Sequence, residues 1–265
     1  MKFSCLSVII ALILSSPYGA CAQGEVTLIA PGGIRAAVEE LIPGFERKTG
    51  RKVKATFGSG LGTKQQVARG EAFDVPIVQP PYPEVLASGN VVAGSATPLA
   101  SVAVGVAVRQ GSPKPDISTP AAVKHMLLAA KSISYPNSSA GAAAGVSFEQ
   151  TLKKLGIAKR VEAKLKRAQG GAGAMAMLAR GEVDIGLTFL SEMSEPGIEV
   201  VGPLPMDIST PTALVGFVSA HAKDPEGAKA LLDYLSSPGA DAVYQAQRMR
   251  PGRSSPPPHA PHSNP

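Results

Sequence analysis

The sequence predicts an α/β protein folded as two lobes. Three observations carry that expectation. Short apolar runs of strand length alternate with stretches of helical periodicity. The alternation occurs twice, first between Val26 and Val78 and again between Val102 and Phe189. Four Gly/Ser-rich turns each stand between a predicted strand and a predicted helix.

The first unit opens with Val26–Ala30, a buried-strand run. Ile34–Lys48 follows with Ile34, Val38, Leu41, Ile42 and Phe45 at helical spacing, and Gly50 ends that helix. Val53–Phe57 reads as a strand, Thr63–Ala68 as a short helix closed by Gly70, and Asp74–Val78 as a third strand. This order is that of a parallel sheet with crossover helices. In the second unit Val102–Val108 is strand-like. Thr119-Pro120 starts a helix to about Ala130, with Thr as cap and Pro in the first turn. Ser132–Tyr135 is a strand, Ser139–Leu155 a helix ended by Gly156, Ala172–Arg180 a helix ended by Gly181, and Asp184–Phe189 a strand. Beyond it, Ile198–Val201 and Ala213–Ser219 are strands joined by a Pro-rich segment. Asp224-Pro225 opens a helix to about Leu235, and Ser236, Ser237 and Pro238 open the last.

The ends read differently. Lys2, the apolar run Phe3–Leu14 and the small residues up to Ala22 have the pattern of a secretory signal peptide. The apolar run is shorter than the roughly 20 residues of a membrane span. Residues 1–22 are therefore expected to be removed and the chain to be periplasmic. Cys21, in Tyr18-Gly19-Ala20-Cys21, offers the alternative of a lipid anchor. Residues 251–265, PGRSSPPPHAPHSNP, are expected to be a disordered Pro-rich tail, with His259 and His262 solvated.

Composition excludes several functions. Both cysteines, Cys5 and Cys21, lie in the leader, so the mature chain has no disulfide and no thiol nucleophile. The chain is 44% hydrophobic but only 5% aromatic, with no Trp, so its core is aliphatic. The formal charge of +6 drops by one when Lys2 leaves; it suits an anionic ligand. Lys and Arg are scattered without interleaved aromatics, which argues against nucleic-acid binding. No GxGxxG, GxxxxGK[ST] or GxSxG spacing occurs. His125, in an apolar helix, is expected to be packed and His221 to be at the surface, with no paired His for a metal or triad. The sequence thus calls for no cofactor, no metal and no catalytic residue. A hydrolase using Ser59 or Ser138 would lack a base within reach.

The candidate site is the set of turns Pro31-Gly32-Gly33, Gly58–Thr63, Asn137–Gly141 and Gly170–Gly173. The first N–H groups of a helix have no internal partner, and the peptide dipoles leave about half a positive charge there. A turn of this kind binds an anion without a cationic side chain. In open α/β sheets ligands bind outside the carboxyl ends of the strands, and a cleft between lobes lets the four turns converge. Arg35, Lys64 and Ser138 stand beside these turns, within range of a carboxylate.

The stretches VTLIAPGGIRAAVEELIPGFERKTGRKVKATFGSGLGTKQQVARGEAFDVPIVQP, YPNSSAGAAAGVSFEQTLKKLGI and LARGEVDIGLTFLSE occur in this order between Val26 and Arg250. In them the chain resembles the periplasmic molybdate-binding proteins and related type II solute-binding proteins of ABC importers. The resemblance implies the type II periplasmic-binding fold: two α/β lobes, each a mixed sheet flanked by helices, joined by two hinge crossings. Residues 23–100 plus 203–250 would form lobe 1 and residues 101–202 lobe 2. It implies a monomer that captures a small anion and presents it to a membrane permease; an extracytoplasmic sensor subunit is the alternative. The implied ligand contacts are Pro31, Gly32, Gly33, Ser59, Gly60, Ser138, Ser139, Ala140, Gly171, Ala172 and Phe189. Two positions depart from the family. A Ser usual in the first turn is absent from Pro31-Gly32-Gly33, and a Tyr usual near the end of the late strand is Phe189. A hydrogen bond to a charged group contributes about 1.5–3 kcal/mol, so two lost hydroxyls weaken oxyanion binding by roughly two to four decades. Molybdate-like oxyanions and small organic carboxylates both remain as ligand classes.

Overall fold

Strand β1 (Glu25–Pro31) lies between its parallel neighbours β2 (Lys52–Gly58) and β3 (Val75–Val78). Its position explains its sequence: Val26, Leu28, Ile29 and Ala30 are all buried, whereas the edge strand β2 alternates exposed and half-buried residues. Helix α1 (Arg35–Thr49) crosses over from β1 to β2, and Gly50 ends it at φ +74°. Helix α2 (Gly60–Ala68) crosses over from β2 to β3. This computed structural model describes residues 24–254. The expected leader, Cys21 and both tail histidines lie outside the described residues.

After the short α3 (Pro83–Ala87) the chain forms β4 (Thr97–Val102) and then β5 (Val104–Arg109). The second unit continues through α4 (Pro120–Ala129), β6 (Ile133–Pro136), α5 (Ala143–Lys154), α6 (Ala158–Val161), β7 (Leu165–Ala168), α7 (Gly170–Ala179), β8 (Ile185–Phe189) and β9 (Ile198–Pro203). The chain then returns as β10 (Thr212–Gly216), α8 (Pro225–Leu235), α9 (Pro238–Ala246) and β11 (Arg250–Pro251). Two mixed sheets result. The first has the order β11-β4-β10-β3-β1-β2 and the second β7-β6-β8-β5-β9. In the second, β6 is parallel to β7 and β8, while β5 is antiparallel to β8 and β9. The chain passes between sheets at Ala103 and again through residues 204–211.

Several expectations change. The run Val102–Val108 is not one strand: Val102 ends β4 in the first sheet and Val104 begins β5 in the second. Both valines are buried, so an unbroken apolar run hides the crossing. The helix expected from Ser139 begins at Ala143; Ser138–Ala140 forms a 3-10 turn that Gly141, at φ +81°, stops. Helix α2 begins three residues before Thr63 because the Ser59 hydroxyl accepts from Gly62 N at 3.0 Å as its cap. His125 is exposed, not packed. The expected disordered tail does not begin at Pro251. Arg250 and Pro251 pair with β4, Pro251 is buried, and Gly252 packs so closely on Pro98 that a Cβ there would clash with its carbonyl.

Asp74 ties the first sheet to the returning segment. It is 1% exposed. One carboxylate oxygen accepts from Thr27 N and Thr27 Oγ1, each at 2.7 Å. The other accepts from Lys223 N at 2.6 Å, just before α8. Asp74→Ala leaves these part-buried donors without their acceptor. We expect a loss of about 3 kcal/mol, read as a lower urea midpoint with an unchanged m-value; an unchanged midpoint would show that the donors find other partners.

Candidate functional site

The carboxyl ends of all six parallel strands open on one cleft between the sheets. Its lining includes Gly32 and Gly33 after β1, Ser59 and Gly60 after β2, Gln79 after β3, Asn137 after β6, Gln169 to Gly171 after β7, and Phe189 and Glu192 at and after β8. The cavity has a volume of about 670 Å³.

The lobes meet at its rims. Ser191 Oγ donates to Gly33 O at 2.7 Å, and Leu61 N donates to Gly141 O at 3.2 Å. Arg248 Nη1 reaches Met193 O at 3.1 Å. These bonds join the turns after β1 and β2 to the opposite lobe. At the start of α2, Leu61 N and Gly62 N are thus engaged by Gly141 and Ser59, while Gly60 N has no partner among the described residues. Gly171, at the start of α7, also has an N–H without one among the described residues.

Cationic and aromatic groups complete the lining. Arg35, at the start of α1, sits over the Phe57 ring at 4.8 Å, and no carboxylate among the described residues lies within 4 Å of its guanidinium. Arg167, on the opposite lobe, sits over Tyr135 at 5.8 Å and lies 3.7 Å from Glu149. Gln79 is 3% exposed, and neither Nε2 nor Oε1 has a hydrogen-bond partner among the described residues. Its amide fills the space beside Gly60, where a Cβ would overlap Oε1, and lies close to Gly33.

Among the described residues Glu192 is the one carboxyl on the lining. Its Oε2 accepts from Thr188 Oγ1 at 2.5 Å. Burial pushes its pKa above the ordinary 4.5, against the lowering effect of the Thr188 hydroxyl and the Phe189 backbone. A Cβ at Gly171 would overlap both Glu192 Oε2 and Thr188 Oγ1, so a larger residue there would displace these side chains.

Of the residues expected at the site, Pro31, Gly32, Gly33, Ser59, Gly60, Ala140, Gly171 and Phe189 line the cleft. Ser138, Ser139 and Ala172 do not. Ser138 Oγ donates to Glu149 Oε1 at 2.6 Å, Ser139 N donates to the Asn137 side chain, and Ala172 is exposed. Lys64 turns to Pro81 O at 2.7 Å. Gln79, Arg167 and Glu192 were not anticipated. Gln79 follows a predicted strand, as the glycine turns do, but carries no glycine to mark it. Arg167 and Gln79 follow the same rule of strand ends, and β7 itself has no apolar run to betray it.

Comparison with known proteins gives the class. A family model for bacterial extracellular solute-binding proteins matches residues 26–250, and the chain belongs to that family. Among individual relatives, it is 34% identical over 91% of its length to a Pseudomonas sp protein named aconitate isomerase, covering 94% of that protein. It is 29% identical to the molybdate-binding protein ModA of Azotobacter vinelandii, over 93% of this chain and 98% of that one. The solved periplasmic molybdate-binding protein of Azotobacter vinelandii superposes with a TM-score of 0.70 at 20% identity, covering 84% of this chain and 98% of that one. The fold is therefore that of the type II periplasmic binding proteins. No helix among the described residues is long and apolar enough to cross a membrane, and no group of three or more His, Cys, Asp or Glu among them is placed to hold a metal.

Ser138 belongs to a network outside the cleft. Burial works against charge on Glu149, but hydrogen bonds from Ser138 and Tyr135, then the Arg167 and Lys153 charges, bring its pKa below the ordinary 4.5. Burial and the same carboxylate push Tyr135 up to about 12. A folded-state value below the unfolded one stabilises at pH above the unfolded value, and that stability is lost as pH falls through the folded value. The Ser138 hydroxyl is one of the groups that lower the folded value, so Ser138→Ala is expected to raise it. We expect acid unfolding, followed by circular dichroism, to begin at higher pH while ligand affinity is unchanged. Lost affinity with an unaltered acid transition would instead place Ser138 in ligand recognition.

Proposed function

We propose that this protein is an extracytoplasmic receptor for a small organic polycarboxylate, held between its lobes and delivered to the permease of an ABC importer. One observation carries the ligand class. Arg35 from one lobe and Arg167 from the other face a single cavity of about 670 Å³ that also presents Phe57, Phe189 and the unpartnered amide of Gln79. Two cations on opposite lobes, with Phe57 and Phe189 on the same lining, suit a carbon skeleton bearing several carboxylates. A compact tetrahedral oxyanion would use the helix N-termini but not both arginines. The relative named for aconitate supports a polycarboxylate, and those named for molybdate support an anion. The leader-like N-terminus and the family support export and work with a membrane permease. Ser59, Gly60, Gly171 and the Pro31–Gly33 turn supply backbone and hydroxyl donors in this reading. No catalytic step is required of a receptor, and the chain is read as a binding protein.

A second reading, chemistry on the bound acid, is favoured by Glu192, a carboxyl of raised pKa on the cleft wall. The relative named aconitate isomerase is consistent with it.

One experiment addresses both readings. Protein beginning at Gln23 is melted against molybdate, sulfate, citrate and cis- and trans-aconitate, and the aconitate samples are then chromatographed. We expect stabilisation by tricarboxylates, about 2.7 kcal/mol at 100-fold over the dissociation constant. Arg167→Ala should lose about 1.5–3 kcal/mol of binding. Unchanged aconitate supports the receptor; interconversion of the isomers establishes the second reading. Stabilisation by molybdate alone contradicts the polycarboxylate.

A further inference from the structure

We propose that Glu192 binds the captured acid as a neutral carboxylic acid, donating a hydrogen bond to a ligand carboxylate, so that capture takes up one proton. The proposal rests on the polycarboxylate reading of the cleft.

A carboxylate on the wall of an anion site is a contradiction unless its charge is removed. Like charges within a few ångströms disfavour one another strongly where water is scarce. Around Glu192 the Thr188 hydroxyl and the Phe189 backbone favour its charge, but burial outweighs both. Arg167, on the opposite wall of the cleft, is paired with Glu149. No Lys, Arg or His among the described residues lies within 4 Å of its carboxylate. The 3-10 turn that carries it, Leu190–Glu192, has no other charged residue. Helix α7, packed behind it through Gly171, has none in Gly170–Ala179. The turn Gly32–Ile34 opposite is uncharged and leads to Arg35, whose guanidinium lies over Phe57. Strand β8 beneath it, Ile185–Phe189, is uncharged. On the returning segment, Arg248 is engaged with the Met193 carbonyl. Burial has already moved the group toward its neutral form.

The hydrogen bond to Thr188 is compatible with one arrangement of the acid proton. In the proposed neutral acid, Thr188 Oγ1 keeps its donation to Oε2, and Oε2 is the carbonyl-like oxygen. Oε1 is then the hydroxyl. It is the oxygen nearest Gly32, at 3.5 Å from where a Cβ on that residue would stand, and that residue lines the cleft. The acid thus returns a hydroxyl donor to a cleft where Phe189 has none. A proton is taken from solvent and no bond of the ligand breaks. The incoming carboxylate favours the neutral acid further, which couples ligand and proton binding reciprocally.

The test is isothermal titration of trans-aconitate into wild type and Glu192→Gln between pH 5 and 8.5. Gln is a neutral isostere that keeps a donor at the Oε1 position, and it leaves the ligand's own titration common to both proteins. We expect the ratio of dissociation constants, wild type over variant, to be flat at the acid end and then rise tenfold per pH unit. Wild type titrated in two buffers of different ionisation enthalpy at the alkaline end should take up one proton more than the ligand's own titration supplies, a measurement independent of the variant's folding. A ratio flat across the range, with binding retained, overturns the proposal and leaves the polycarboxylate reading standing. Loss of binding in Glu192→Gln, with a wild-type affinity that shows no extra proton, assigns an ionised Glu192 and likewise overturns it. Binding of no polycarboxylate by either protein at any pH removes the reading and the proposal together.

Discussion

Everything at the site depends on one topological constraint: six parallel strands, three in each sheet, direct their carboxyl ends at each other. A helix that follows a parallel strand starts at that strand's carboxyl end, with unpaired N–H groups and the positive end of its dipole. When two such sheets face each other, the helix starts face each other too. The cleft is therefore electropositive before any side chain is chosen. The antiparallel strands β5, β9, β10 and β4 serve the connection: they let the chain cross twice and return, so that the lobes share a hinge.

Side chains then specialise a generic anion cleft. Gly171 and Gly60 lack a Cβ because Glu192 and the Gln79 amide occupy that space. The first lobe contributes Arg35 and the second Arg167. A buried amide with both atoms unpartnered has a cost of about 1–3 kcal/mol for each unsatisfied group. A ligand that satisfies it recovers that energy on binding, which gives Gln79 a place in selectivity rather than in folding. Phe189, which packs on Gly33 from across the cleft, makes apolar contact where a hydroxyl would serve an inorganic oxyanion better.

The fold was largely legible because its signals are periodic. Central strands read as apolar runs, helices as 3.6-residue repeats, and Gly50 and Gly156 mark helix ends by their positive φ. The misses share a cause. The crossing at Ala103 is hidden in continuous apolar sequence, and β7, LKRA, has only one buried residue. Pro251 looked like tail because the stretch that follows it is rich in Gly, Ser and Pro, whereas its pairing with β4 is a long-range contact that no local pattern encodes. In the site, glycine turns were visible, since close backbone approach demands glycine. Gln79 and Glu192 were not, because burial and missing partners are properties of three-dimensional packing alone. Ser138 was expected to face the ligand but bonds Glu149, a choice set by a residue eleven positions away.

The central claim is that the ligand sits where the six strand ends converge. Amide hydrogen exchange with and without trans-aconitate tests it most directly. The account predicts added protection confined to the segments around Gly32–Gly33, Gly58–Gly62, Asn137–Gly141, Gln169–Gly171 and Phe189–Met193. Protection centred instead on Val146, Met206 and Pro211, in the cavity that adjoins this cleft through Gly60 and Gln79, would contradict it.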